Sequence, residues 1–196
     1  MEHIKAIYTK IESYMGGLID LILEEIFYCV DGETKVTVLG KEHVYKKPVS
    51  EVQKGDSVLT YNGNNLIYSK VKENKKLEVD RIFYTFKVKD KNENIRSVSV
   101  TDNHSLIIFN KESNEPEFRY ASQLKVGDLI RTIGGMSEVV EINKELKKNC
   151  YQIVVEQGTF LANDILIGAF YIKENESQKQ LKGILDTTKI PISQVN

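Results

Sequence analysis

A ten-residue phrase occurs twice in this chain of 196 residues, and the repeat constrains the fold more than any other feature of the sequence. The copies cover residues 49–58 and 121–130, and both read small-Ser-x-apolar-x-x-Gly-Asp-x-apolar. An internal repeat indicates that one structural unit has been built twice. The sequence therefore predicts a duplicated fold whose two halves are related by pseudo-two-fold symmetry.

Short β-strand patterns fill the region around and between the two copies. They alternate polar with apolar residues or are rich in β-branched and aromatic residues, and turn signals such as Asn62-Gly63 separate them. The predicted strands cover residues 34–39, 57–61, 81–88, 97–101, 105–109, 129–133, 139–142, 151–155, 159–162 and 165–171. A looser echo between residues 100–107 and 161–167 suggests a further equivalent hairpin in each half. Many short strands at this spacing predict an all-β fold of the sandwich or barrel-like kind.

The two ends of the chain differ from this β region. Apolar residues recur at helical spacing from Ile4 to Ile22, so residues 1–28 are predicted to form an N-terminal amphipathic helix. Residues 172–196 are polar and charged, and they are predicted to fray or to form a short surface helix. The predicted organisation is thus a helical segment over 1–28, a β domain over 29–171 and a polar tail over 172–196.

Composition excludes several classes of function. The 27 basic and 28 acidic residues give a net charge of −1, and the basic residues are scattered, so a nucleic-acid surface is not expected. Two cysteines, Cys29 and Cys150, are too few for a disulfide framework, so at least one thiol is expected to be free. The sequence has no signal peptide pattern and no apolar run long enough to span a membrane, so a cytoplasmic location is the default expectation.

Cys29 and His104 are the candidate reactive pair. A cysteine with a histidine elsewhere in the chain is a candidate nucleophile and its partner, and the acyl group nearest to Cys29 is the carbonyl of Tyr28. Attack there would move the acyl chain from nitrogen to sulfur, and His104 is suited to protonate the departing nitrogen near neutral pH. Thr101, three residues before His104, is placed to bond the scissile peptide and distort it.

Purely structural interpretations exist for the same residues. Cys29 taken alone is better interpreted as a small buried hydrophobe, and Thr101 and His104 could simply stabilise a β-turn. Cys150 falls in a strand pattern and is predicted to be structural. The aspartates of the two phrases are predicted to fix turns and not to act in catalysis, namely Asp56 and Asp128.

Taken together, these motifs resemble the Hint family, the self-processing module of hedgehog proteins and inteins. The resemblance runs from Cys29 to about Tyr171, and it is carried by Cys29 followed by Gly32-x-Thr34-x-Val36, both Gly-Asp phrases, Thr101-x-x-His104 and Gly158-Thr159-Phe160-Leu161-Ala162-Asn163. It implies two intertwined, pseudo-symmetric β-hairpin halves over residues 29–171. It also implies an N-to-S acyl shift at Cys29 that cleaves the Tyr28–Cys29 bond through a thioester, with Thr101 and His104 activating that bond.

The chain departs from two branches of this family. Inteins of the common kind end in His-Asn before a nucleophile, but the matching positions here are Gly168 and Ala169, so asparagine-dependent splicing is not expected. Hedgehog modules use an aspartate to activate a sterol, and the corresponding residues 68–76 contain none, so a sterol partner is not expected either. The chain is therefore predicted to be closer to the hedgehog-type or bacterial intein-like branch, with water, a small thiol or an amine resolving the thioester.

The sequence thus predicts a single-turnover, self-cleaving domain instead of a turnover enzyme. Its substrate would be its own N-terminal segment, and we expect a monomer that needs no cofactor and no metal. The alternative is a catalytically decayed Hint-like β module that acts as a protein-interaction domain.

Overall fold

The computed structural model describes residues 28–110 and 115–169, and these residues form an all-β fold. The strands are β1 (Val30–Asp31), β2 (Lys35–Leu39), β3 (Val44–Pro48), β4 (Ser57–Asn62), β5 (Asn65–Leu77), β6 (Arg81–Lys89), β7 (Ile95–Thr101), β8 (Ser105–Asn110), β9 (Glu115–Tyr120), β10 (Leu129–Thr132), β11 (Gly135–Lys147), β12 (Cys150–Val155), β13 (Thr159–Ala162) and β14 (Ile165–Gly168). The predicted all-β class is confirmed for these ranges. The predicted helix, except for its last residue Tyr28, and the predicted tail lie outside them.

The two repeated phrases adopt the same conformation. Each contains a 3₁₀ helix, Val49–Glu51 in the first copy and Ala121–Gln123 in the second, followed by a glycine with a φ of +94°, Gly55 and Gly127. The aspartate after each glycine accepts a hydrogen bond from the backbone amide three residues before it, at 2.9 Å and 2.8 Å. The predicted duplication and the turn-fixing role of both aspartates are confirmed by this match.

All the strands pair antiparallel, and the halves exchange their longest strands. The sheet runs in the order β10-β11-β6-β7-β1-β12-β5-β4-β2-β13-β14-β8-β9, with β3 on β2, and β10 pairs in addition with β14 and β8. Strand β5 of the first half therefore lies beside β12 of the second, and β11 of the second half lies beside β6 of the first. This exchange is the intertwining that the family resemblance implies.

Several strands differ from those predicted. Strands β1, β3, β5 and β9 were not predicted, and β5 and β11 are each 13 residues long, far longer than any strand that the sequence pattern indicated. The looser echo between residues 100–107 and 161–167 is also wrong as a structural equivalence. Strands β13 and β14 pair as a hairpin, whereas β7 and β8 pair with other strands and not with each other.

Packing of the main core fixes the backbone on both sides of the candidate site. Val30 and Val100 are fully buried members of that core and are partners across β1 and β7. Cys29 precedes the first of them and Thr101 follows the second. A smaller buried cluster, formed by Cys29, Leu77, Phe83 and Cys150, lies on the other face of this part of the sheet. No segment of the described ranges is a helix long and apolar enough to cross a membrane.

Candidate active site

Tyr28 and Cys29 lead directly into β1, a two-residue strand inserted between β7 and β12. Val30 is the partner of Val100 on one side and of Tyr151 on the other. The two residues of the predicted scissile bond are buried, with exposed fractions of 8% for Tyr28 and 0% for Cys29. The peptide bond between them is therefore held inside the domain and not displayed on a loop.

Thr101 binds the nitrogen of that peptide bond. The Cys29 N–H donates to the Thr101 hydroxyl oxygen at 2.9 Å, and the Thr101 N–H donates to the Cys29 carbonyl at 3.0 Å. The hydroxyl donates its own proton to Oδ1 of Asn103 at 3.0 Å, with a longer contact of 3.5 Å to the Cys29 carbonyl. Asn103 thereby helps to turn a lone pair of the Thr101 oxygen toward the scissile N–H. Sequence reasoning did not identify this role of Asn103.

A tight turn places His104 next to Thr101. The His104 amide donates to the Thr101 carbonyl at 3.0 Å, and in the first half the Thr34 amide donates to the Asp31 carbonyl at the same distance. The turn that carries Thr101 and His104 is therefore the second copy of a turn that the fold builds twice. Only the second copy carries a histidine.

His104 is buried and electrically neutral. Its Nε2 lies 2.8 Å from the carbonyl oxygen of Gly168, and because a carbonyl only accepts, Nε2 carries the proton and Nδ1 has the free lone pair. Within the described residues, the buried Nδ1 has no hydrogen-bond partner. Burial lowers the pKa of His104 to about 4, although the backbone groups of Gly168 and Cys29 raise it in part. The ring is therefore uncharged at neutral pH, and the expected role of His104 as a proton donor stays a prediction.

Tyr28 is anchored beside this imidazole. Its ring meets the His104 ring edge to face, with 5.9 Å between the ring centroids and 80° between the planes. Its hydroxyl donates to the carbonyl of Ala169 at 3.1 Å, and burial raises its pKa to about 12. Gly168, the last residue of β14, and Ala169, which follows it, therefore contact the site through their backbone carbonyls.

Comparison with known proteins identifies the family of this arrangement. The Hint module family matches residues 22–182, which is most of the chain. The chain belongs to the Hint module family. The match includes the predicted nucleophile, the Thr101–His104 turn and both repeated phrases.

Solved structures similar to this Hint module are inteins and an intein-like domain. They include a gp41-1 intein (19% identity, TM-score 0.54, 72% of this chain and 99% of that one) and a DnaB intein from Synechocystis sp. PCC 6803 (14% identity, TM-score 0.58, 73% and 99%). A bacterial intein-like domain from Clostridium thermocellum is also similar (18% identity, TM-score 0.51, 72% and 97%). At these identities the likeness shows the fold, and it does not assign the chain to one branch.

Cys150 lies beside Cys29, the predicted nucleophile of the Hint module, where sequence reasoning did not place it. The thiols of Cys29 and Cys150 are both fully buried and lie within hydrogen-bonding reach of each other. Their hydrogen bond and then burial raise the pKa of Cys29, while the same hydrogen bond lowers the pKa of Cys150. The positive charge of Arg81 favours the thiolate form of both. The contact arises because β1 pairs with β12, a long-range pairing that no local pattern indicates.

The described part of the Hint module holds no group of three or more His, Cys, Asp or Glu side chains that could bind a metal ion.

The structure brings together Cys29, Thr101 and His104, the three residues predicted from the sequence, around the Tyr28–Cys29 peptide bond. Their catalytic roles stay predictions.

Proposed function

We propose that this Hint module cleaves its own chain between Tyr28 and Cys29 by an N-to-S acyl shift. The observation that carries the proposal is the buried Cys29 N–H bound to the Thr101 hydroxyl beside a neutral histidine. In the shift, the Cys29 sulfur bonds to the Tyr28 carbonyl carbon, and the bond from that carbon to the Cys29 nitrogen breaks. The sulfur loses its proton, and the nitrogen gains one to leave as an amine.

Thr101 holds the scissile peptide in place for this reaction. Its hydrogen bonds to the Cys29 N–H and the Cys29 carbonyl fix the backbone on the leaving side of the bond. The attacking sulfur belongs to the same residue, so nucleophile and carbonyl are already part of one short chain segment. Holding reacting groups in this way can contribute roughly 7–11 kcal/mol to lowering a barrier when the alignment is good.

His104 supplies the proton to the leaving nitrogen. Its unpartnered Nδ1 takes up a proton, and the resulting imidazolium, with a pKa of about 4, is a strong acid that gives the proton up readily. The Gly168 carbonyl keeps Nε2 as the protonated nitrogen and so leaves Nδ1 as the atom that exchanges protons. The ring lies beside the backbone of Cys29, the residue whose nitrogen leaves.

The thioester is resolved by water, a small thiol or an amine. Asparagine cyclisation has no side chain to start it, because Gly168 and Ala169 occupy the positions where splicing inteins have His-Asn. The products are residues 1–28 and a fragment that begins with Cys29. The domain acts once on its own chain, and sterol transfer is not part of the proposal.

The test is mass spectrometry of the purified protein after incubation with and without dithiothreitol or hydroxylamine. Both nucleophiles should release residues 1–28, and Cys29→Ala should abolish the release while the fold is retained. His104→Ala should slow cleavage by about 10²–10⁴-fold, the usual range for a positioned acid or base. His43→Ala, which changes an exposed histidine, should not. Release that persists in Cys29→Ala would overturn the proposal.

A second candidate function is a decayed Hint module that binds a partner protein. The observation that favours it is the Cys29 thiol itself, whose full burial and raised pKa keep it protonated and unreactive in the resting state. A folded protein that releases no fragment with any of the nucleophiles would support this function.

A further inference from the structure

The acyl shift leaves one proton unassigned, the proton on the Cys29 thiol. The thiolate is the nucleophilic form of cysteine, and Cys29 is fully buried, so bulk water is not in contact with its sulfur. In the proposed shift, His104 is assigned to the nitrogen that leaves and not to the thiol. The group within hydrogen-bonding reach of the Cys29 sulfur is the thiol of Cys150.

The sheet places the two sulfurs together. Cys150 is the partner of Asp31 across β1 and β12, and Asp31 is two residues beyond Cys29. Alternate residues of an extended strand point to the same face, so the side chains of Cys29 and Cys150 share one face of the sheet. Both have an exposed fraction of 0%, and Leu77 and Phe83 complete their cluster.

The charges around the pair favour one shared negative charge. The charged and titratable groups on the elements around the pair include Arg81, Tyr28 and His104, together with Asp31 and Glu145, which both pair with Lys147. Tyr28 and His104 are neutral at pH 7. The positive charge of Arg81 acts on both thiols and lowers the pKa of each.

We propose that Cys150 is a catalytic residue that accepts the thiol proton of Cys29, an inference that rests on the proposed acyl shift. In the reactive state the two sulfurs hold one proton, donated by Cys29 to the Cys150 thiolate. As the Cys29 sulfur bonds to the Tyr28 carbonyl carbon, this proton passes fully to Cys150 and the negative charge moves to the carbonyl oxygen. When the carbon–nitrogen bond breaks, the carbonyl re-forms and the electron pair of that bond goes to the nitrogen. The nitrogen takes a proton from the His104 imidazolium, which becomes neutral.

The rate of cleavage as a function of pH separates this role from a structural one. Cleavage by dithiothreitol would be measured by mass spectrometry between pH 6 and pH 9 for the wild type, Cys150→Ser and Cys150→Ala. A serine hydroxyl keeps the size and a hydrogen bond but does not ionise in this range. We expect both variants to be slower at pH 7, by about tenfold or more, and to regain rate as the pH rises. A wild-type profile in Cys150→Ser would mean that position 150 only supports the thiol, and it would overturn the proposal.

A second measurement does not depend on cleavage. In protein labelled with ¹³C at the cysteine Cβ atoms, the carbon shifts of Cys29 and Cys150 should change together in one titration step, because interacting groups titrate as a pair. In Cys150→Ser the Cys29 signal should titrate at higher pH. Coupled titration without any cleavage would overturn the proposed function and the catalytic role but leave the thiol pair. Cleavage with independent titration of the two thiols would overturn the inference alone.

Discussion

The direction in which the Thr101 hydroxyl donates its proton determines the hydrogen bonding of the candidate site. Because the Thr101 hydroxyl donates to Asn103, its oxygen is free to accept the N–H of Cys29. A valine at position 101 would keep the shape of the side chain but would leave the buried N–H of Cys29 without an acceptor. Thr101 therefore fixes the Cys29 nitrogen, which leaves in the proposed shift, and Asn103 acts through Thr101 as a positioning residue.

Burial of His104 makes the stability of the domain depend on pH. Its pKa is about 4 in the folded protein against 6.5 for an ordinary histidine, so the unfolded chain binds the proton more tightly. The contribution of the neutral His104 to the free energy of unfolding is fully present above pH 6.5, and it is lost as the pH drops toward 4. We expect a loss of about 2 kcal/mol in the free energy of unfolding between pH 7 and pH 5.

Urea unfolding of the wild type and of His104→Gln at the two pH values checks this prediction. The variant should lack the His104 part of the loss, whereas His43→Gln, which changes an exposed side chain, should keep it. An equal loss of stability in the wild type and in His104→Gln would show that the buried histidine does not control this dependence.

The site residues that were predicted could be found from the sequence because they lie in short motifs. Thr101 and His104 are three residues apart in one turn, and Cys29 stands at the junction of two patterns. Cys150 was assigned to a strand but not to the site, because its contact with Cys29 depends on the pairing of β1 with β12. The part played by Gly168 was missed for a different reason, since a backbone carbonyl leaves no signal in the residue type.

Among the elements, the two Gly-Asp turns show how the duplication is maintained. Gly55 and Gly127 have the same φ of +94°, and a Cβ added at either would meet no atom within 4 Å. Space is therefore not what selects glycine at these positions. The backbone conformation selects it, because residues with a side chain adopt such a φ only under strain.

Alanine at either turn should consequently have the same effect. We expect Gly55→Ala and Gly127→Ala each to reduce the free energy of unfolding by about 1–3 kcal/mol, the usual range for a strained backbone. The control is Gly134→Ala, where the added Cβ has ordinary contacts of 3.6 Å or more and no positive φ is present; it should change stability by no more than about 0.5 kcal/mol. Clearly unequal losses at the two turns, measured by urea unfolding, would contradict their equivalence.

Strand lengths were the least predictable feature of the elements. Strands β5 and β11 carry exposed, charged residues over much of their 13-residue lengths, so no alternation of polar and apolar residues reveals them. They are extended because each pairs with a strand of the other half. Hairpins joined by short turns were predictable, and the Asn163-Asp164 turn of β13 and β14, with φ values of +48° and +65°, is an example.

At the scale of the whole molecule, the two ends of the described β domain, Tyr28 and Ala169, are in contact. The hydroxyl of Tyr28 binds the carbonyl of Ala169, a residue 141 positions away in the sequence. His104 binds the adjacent carbonyl of Gly168. The site that is proposed to cut before Cys29 is therefore in contact with the segment where splicing inteins make their second cut.

The site is in contact with Gly168 and Ala169, but neither residue has a side chain that could cyclise. We therefore expect cleavage at the Tyr28–Cys29 bond only. A reporter protein fused after Asn196 should stay attached to the domain under conditions that release residues 1–28, because Gly168 and Ala169 have no nucleophilic side chain. Gel electrophoresis and mass spectrometry of the fusion would show this. The appearance of free reporter, or of residues 1–28 joined to it, would contradict the prediction.

The insertion of β1 between β7 and β12 also determines when the proposed acyl shift at Cys29 could begin during synthesis of the chain. Cys29 is made early, but its neighbours in the sheet and the carbonyl that fixes His104 come from residues up to Gly168. At about 5–20 residues per second, a ribosome takes on the order of ten seconds to make that stretch. Through this interval the nascent chain carries Cys29 without the rest of the proposed site, so residues 1–28 emerge well before the proposed cleavage could release them.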